Sequence, residues 1–198
     1  MPLTANAQHG ANEPSAWVRR WSHLVAPGGV VLDVACGLGR HARWFHGRNH
    51  PVVLVDRAQA AIESIAIPAS DGEAVIADIE NGPWPFAGRE FAGVVVVNYL
   101  WRPLMPALLA SLAPGGVLIY ETFAQGNEVL GKPSRADFLL RPGELLDVCR
   151  SLRVVAFEDG FEDREPGRMP RFVQRIAAVR EAPASVPPAR IPPRYRLI

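Results

Sequence analysis

The chain has 198 residues, 48% of them apolar and 21% charged, and this composition describes an ordinary globular domain with enough length for a real core. A net charge of +1 excludes an overall field that would draw the molecule onto nucleic acid or an anionic membrane. Two cysteines exclude a disulfide framework, and neither CxxC, HExxH nor GxxxxGK[ST] occurs, so no metal site and no P-loop is expected.

Taken in chain order, residues 1–14 read as a flexible polar N-terminus with no apolar stretch suited to a signal peptide. "PSAWVRRWSHLV" places Trp17, Val18, Trp21, Leu24 and Val25 at helical spacing, with Ser15 as N-cap, and Pro27-Gly28-Gly29 ends it. Val30–Val34 is nearly all apolar, as for a strand covered on both faces. Gly37 and Gly39 then turn the chain into a helix over Arg40–Arg48. "PVVLVD" is a second strand ending at Asp56, and "AQAAIESIA" its crossover helix. "EAVIAD" ends a third strand at Asp78, and "AGVVVVN" a fourth at Asn98. "RPLMPALLASL" is a helix in which Pro106 predicts a kink or a late start. "GGVLIYET" is a fifth strand, and "RPGELLDVCRSL" a helix from near Pro142. "RVVAFED" and "RFVQRIAAVRE" close the sheet, and the alternation of the last predicts an exposed edge. Residues 182–198 form a Pro-rich tail, leaving 15–181 as the domain. Strands alternating with helices predict an α/β, doubly wound, mostly parallel seven-stranded sheet with helices on both faces and an antiparallel last strand.

In such sheets ligands bind beyond the carboxyl ends of the strands at the topological switch point. Those ends carry Asp33, Gly37, Gly39, Asp56, Asp78 and Asn98. Gly37-Leu38-Gly39-Arg40-His41-Ala42 fits the loose dinucleotide pattern, but a carboxylate four residues earlier opposes a diphosphate and suits a cationic amine or sulfonium. Asp56 can take both hydroxyls of a ribose, and Asp78 can accept from an exocyclic adenine amine with Ile79 against the ring. An amino-acid head, a ribose and an adenine across three strand tips describe S-adenosylmethionine, leaving S-adenosylhomocysteine as product.

"VLDVACGLGR", "VVLVD", "VIADIENGPWPF", "AGVVVVNYL" and "LAPGGVLIYETF" together resemble the class I S-adenosylmethionine-dependent methyltransferases, in order and spacing, over about residues 28–124. Arg40 after the second glycine resembles the tellurite-resistance subset. The resemblance implies cofactor contacts at Asp33, Ala35, Cys36, Gly37, Gly39, Asp56, Arg57, Asp78, Ile79 and Asn98. Acceptor-side candidates are Tyr99, Trp101 and Arg102 after the fourth strand, and Glu121 and Phe123 at the end of the fifth. His41 is a candidate base or a capping residue, and Arg135, Arg141, Arg168 and Arg171 are candidate clamps for an anionic acceptor.

No catalytic residue stands out, which suits methyl transfer, because the sulfonium is already an excellent leaving group and the protein chiefly aligns and desolvates. Short loops after the fourth and fifth strands favour a small-molecule acceptor: an oxyanion, thiol, amine or hydroxyl. Residues 132–198 hold 12 Arg and the single Lys against 9 Asp and Glu, and that basic third offers an RNA methyltransferase as the alternative. An NAD-dependent oxidoreductase and a non-catalytic cofactor-binding module are further alternatives. The first lacks a Tyr-x-x-x-Lys pair and is opposed by Asp33. The longest strongly apolar run, Gly93–Val97, is far too short to span a membrane, and the expected setting is cytoplasmic.

Overall fold

The computed structural model describes residues 13–163, 169–182 and 193–198. Most of the expected N-terminal segment, Arg168 and residues 183–192 of the tail lie outside the described residues. The strands are β1 (Val31–Val34), β2 (Val52–Asp56), β3 (Gly72–Ile76), β4 (Phe91–Val97), β5 (Leu112–Phe123), β6 (Arg153–Glu162) and β7 (Arg171–Val179). The helices are α1 (Ala16–Trp21), α2 (Arg40–His46), α3 (Gln59–Glu63), α4 (Met105–Ala110) and α5 (Glu144–Val148). Pro106 lies in the first turn of α4, behind a short 3₁₀ turn at Arg102–Leu104, so the proline marks a late start and not a kink.

The strands form one sheet in the order β3-β2-β1-β4-β5-β7-β6. All neighbours are parallel except β7, which runs antiparallel to both β5 and β6. The expected sheet is therefore present, but β7 is not its edge. It is inserted between β5 and β6, and β6 takes the outside. The polar positions that suggested solvent are themselves covered and hold hydrogen-bonding or ionic partners. Gln174 is fully buried, and Arg175 is paired with Glu121, Glu158 and Glu162.

Period-2 alternation along strands covered on both sides divides the core in two. Leu32, Val34, Val94, Val96, Leu118 and Tyr120 pack with Met105 and Leu108 of α4 and Leu145 of α5. Val31, Leu54, Val95, Val97, Val117 and Ile119 pack with Trp17, Val18 and Trp21 of α1, Phe45 of α2 and Ile62 of α3. Helix α1 is thus a structural layer on the sheet, fastened by Trp17 Nε1 donating to the Ile176 carbonyl at 3.2 Å. Part of the tail returns to it: Arg20 Nε donates to the Ile198 carbonyl at 2.6 Å, and Tyr195 packs against the same core.

The chain leaves β1 toward β2 on one side and returns from β3 to β4 on the other, which opens the switch-point crevice between the tips of β1 and β4. Among the described residues no helix is long and apolar enough to cross a membrane.

Candidate active site

Both strands flanking the crevice end in strained backbone. Ala35 after β1 and Asn98 after β4 have φ of 50° and 57°, the left-handed region that non-glycine residues seldom adopt. Gly37 follows at 53°, and a Cβ there would meet nothing within 4 Å, so space lies open above the turn. At Gly39 a Cβ would sit 2.6 Å from Ile65 Cδ1; this glycine lets the segment after α3 pack against the turn.

Asp33 is set beneath the turn and not at its mouth. It is 2% exposed, and its Oδ2 accepts from the Ala42 N–H at 3.0 Å, inside the first turn of α2. Burial raises its pKa to about 7, against the lowering effect of that N–H. His41, expected as a base or a solvated cap, is neither. It is buried, its Nε2 accepts from the Ser15 N–H at 3.3 Å, and its Nδ1 lies 3.9 Å from Asp33 Oδ1. Desolvation, helped by Arg40, lowers its pKa to about 3, so the imidazole is neutral.

Asp56, at the tip of β2, braces the glycine turn: Oδ2 accepts from the Gly37 N–H at 2.9 Å and Oδ1 from the Ala58 N–H at 2.8 Å. A carboxylate has about four lone-pair sites, so two remain for a ligand's hydroxyls. Beside it is a cavity of about 180 Å³ lined by Ala35, Asp56, Arg57, Asp78, Ile79 and Tyr99, among others. Asp78 is exposed and held below the usual carboxylate range by hydrogen bonds from the Asn81 side chain and the Glu80 and Asn81 N–H groups. Burial, followed by the Glu80 carboxylate, raises the Tyr99 phenol. Acidic acceptors next to an apolar and an aromatic wall fit a ribose and an adenine. Cys36, expected among the cofactor contacts, packs into the core and does not line this cavity, and burial pushes its thiol up.

A second, larger cavity of about 410 Å³ opens on the other side of the β4 tip, where Asn98 forms part of its wall. Glu121 and Phe123 line it as expected of the end of β5. Glu121 is buried; its Oε2 accepts from Ser15 Oγ at 2.6 Å and its Oε1 from Arg171 Nη2 at 2.8 Å, with Arg175 Nε 3.3 Å away. Ser15 thereby closes the wall while its hydroxyl also accepts from the Trp17 and Val18 N–H groups as the cap of α1.

The other acceptor-side expectations are redistributed. Tyr99 faces the smaller cavity, with the cofactor candidates. Trp101 packs against the core, and Arg102 forks onto Glu144 at 2.7 and 3.0 Å while donating to the Asp137 and Leu139 carbonyls. Arg102 is thus a tie between loops, holding Glu144 below its ordinary range against the effect of burial. Arg135 pairs with Asp137 and Arg141 with Glu144; of the described clamp candidates, Arg171 alone lines the larger cavity. Sequence reasoning missed Arg40, Asn127 and Lys132 in that wall. The single lysine was conspicuous, but nothing local placed it on the wall that Glu121 shares.

A family model for a methyltransferase domain matches residues 31–116. Malonyl-[acyl-carrier protein] O-methyltransferase of Serratia marcescens is 32% identical over 107 residues, covering 51% of this chain and 41% of that relative, so the chain spans less than half of the relative's length. Two solved structures share the fold. TehB from Haemophilus influenzae gives a TM-score of 0.65 at 13% identity over 90% of this chain and 63% of its own. A SAM-dependent methyltransferase from Methanosarcina mazei gives 0.64 at 13% identity over 86% of this chain and all of its own. Residues 31–116 thus match a methyltransferase-domain model, and the chain shares its fold with solved S-adenosylmethionine-dependent methyltransferases.

Proposed function

We propose that the protein transfers the methyl group of S-adenosylmethionine to a small-molecule acceptor. The observation that carries this reading is the pair of cavities meeting at consecutive residues of the β4 tip, with Tyr99 in the smaller and Asn98 in the larger. In the smaller, Asp56 would take the ribose hydroxyls, Asp78 the exocyclic amine, and Ile79 and Tyr99 the adenine faces, with Ala35 and Arg57 at the rim. The amino-acid portion would lie over Gly37 toward Asn98. When bound, the cofactor supplies a methyl group on a sulfonium. The chain's own residues orient the two partners and keep water out, and alignment of this kind is the larger part of such catalysis.

Asp33 supports this choice over a dinucleotide in a way that differs from simple repulsion at the surface. Its carboxyl already occupies the α2 amide that a diphosphate would seek at a helix N-terminus. The relative's name, an O-methyltransferase, supports an oxygen acceptor. Both cysteines are free and buried, in keeping with a reducing, cytoplasmic setting.

Calorimetric titration with S-adenosylmethionine, S-adenosylhomocysteine and NAD tests the reading. The two sulfur ligands bind and NAD gives no heat. Binding of NAD together with silence toward both sulfur ligands overturns it. A labelled-methyl assay on extracted metabolites then identifies the acceptor.

A further inference from the structure

We infer that the larger cavity binds a small carboxylate as methyl acceptor, its charge met by Lys132 and one oxygen taken by the Nη1 edge of Arg171. This rests on the methyltransferase reading and names the substrate class it leaves open. Three cationic side chains line the cavity (Arg40, Lys132 and Arg171); Arg40 and Arg171 already have partners, which leaves Lys132 as the charge open to an anion. The charge of Glu121 is already matched, by Arg171 at 2.8 Å and by Arg175 at 3.3 Å. Lys132 is exposed on the cavity wall and makes no hydrogen bond or ion pair among the described residues. Arg171 gives Nε to Glu162 at 2.6 Å and Nη2 to Glu121, while its Nη1 has no partner among the described residues. A guanidinium edge and an ammonium facing one space suit a planar anion. Phe123, Leu130, Met169 and Pro170 supply an apolar wall for the rest of the molecule, and about 410 Å³ is within the range of small-molecule pockets.

The second line is that, among the described residues, no side chain is free to take a proton in this cavity. An alcohol or ammonium acceptor must lose a proton. Yet His41 Nε2 is engaged by the Ser15 N–H, and the Glu121 carboxylate is committed to the Ser15 hydroxyl and to two ion pairs, with Arg171 and Arg175. A carboxylate needs no base. Its oxygen lone pair forms the new O–C bond, the C–S bond breaks with its pair returning to sulfur, and no proton moves. An anion and a sulfonium become an ester and a thioether.

The test uses the full chain saturated with S-adenosylhomocysteine, titrated with benzoate, hexanoate and succinate and with the corresponding neutral amides. At least one carboxylate binds saturably and more weakly as sodium chloride is raised, whereas the amides do not bind. Lys132→Gln, on an exposed and unpaired side chain, weakens that binding by about fivefold and leaves S-adenosylhomocysteine affinity and thermal midpoint unchanged. Silence toward all three carboxylates, equal binding of an amide, or a Lys132→Gln protein that binds as well as the parent overturns the inference. Failure of S-adenosylhomocysteine itself to bind removes the underlying reading, so the two failures are distinct. In the labelled-methyl assay the product releases labelled methanol in mild alkali, as an ester does; an alkali-stable methyl group also overturns the inference.

Discussion

Asp33 and His41 are buried 3.9 Å apart with opposite shifts, and the pair makes a prediction that neither residue makes alone. The folded pKa of Asp33 is raised from 3.8 to about 7. The folded state therefore holds the extra proton, and this group's stabilising effect, complete below its unfolded pKa, is lost as pH rises toward 7. The folded pKa of His41 is lowered from 6.5 to about 3, so its contribution is present above 6.5 and is lost as pH falls toward 3. Over the shared window the unfolded state carries the proton on His41 and the folded state on Asp33, and the two slopes oppose each other. Asp33→Asn is expected to unmask stability that falls with acid, and His41→Gln stability that falls with base. Urea midpoints at several pH values between 4 and 7 read this out; parallel profiles for the two variants would refute it. Asp56 is tested through ligand affinity. Asp56→Ala removes the brace on Gly37 along with the proposed ribose contact, and is expected to weaken S-adenosylhomocysteine binding by about 2–5 kcal/mol. Calorimetric affinity equal to the parent's would take Asp56 out of the site.

At the scale of elements, the inserted strand β7 has a polar residue at its centre for a reason that involves α5. Gly143, at the head of α5, has no capping side chain, and Gln174 supplies the cap from the sheet. Its Oε1 accepts from the Leu145 N–H at 2.6 Å, while Nε2 donates to the Arg141 carbonyl and to Asp159 Oδ2. Gln174→Leu keeps the volume but strands buried polar groups of the helix and loop. It is expected to lower stability by about 2–5 kcal/mol without changing the slope of the urea transition. An unchanged midpoint would show that water replaces the cap. The same strand shows where sequence reading stopped. Alternation distinguishes two faces but not solvent from a buried polar network, so "RFVQRIAAVRE" read as an edge. Proximity to a strand tip misled in a similar way at Arg102, because its partner Glu144 is 42 residues away and no local signal announces it. By contrast Asp56, Asp78 and Asn98 were legible because each closes an apolar run on the side where a doubly wound sheet binds ligands. The larger cavity was legible only at Asn98, Glu121, Phe123 and Arg171; Ser15, Arg40 and Lys132 reach it from loops and a helix cap whose positions depend on the whole packing.

At the scale of the whole molecule, part of the arginine after residue 131 has a structural destination. Among the described residues, Arg153 pairs with Glu181, Arg171 with Glu121 and Glu162, Arg175 with Glu121, Glu158 and Glu162, and Arg180 with Glu90. Most of these pairs lie on β6 and β7, where they tie neighbouring strands together, and several are partly buried. A guanidinium held by carboxylates on two strands releases no counterions from a phosphate backbone, since its charge is already matched. These arginines of the basic third therefore contribute to the cohesion of the sheet, and the unpaired cation beside the site, Lys132, lines a cavity sized for a small molecule. An unstructured RNA oligonucleotide is accordingly expected to bind no more tightly than about 10⁻⁴ M at physiological salt, the weak end of non-specific association. Fluorescence anisotropy across a salt series checks this. Affinity a hundredfold tighter, falling steeply with salt, would mean that these arginines leave their carboxylates for phosphates and would return RNA to the front as acceptor.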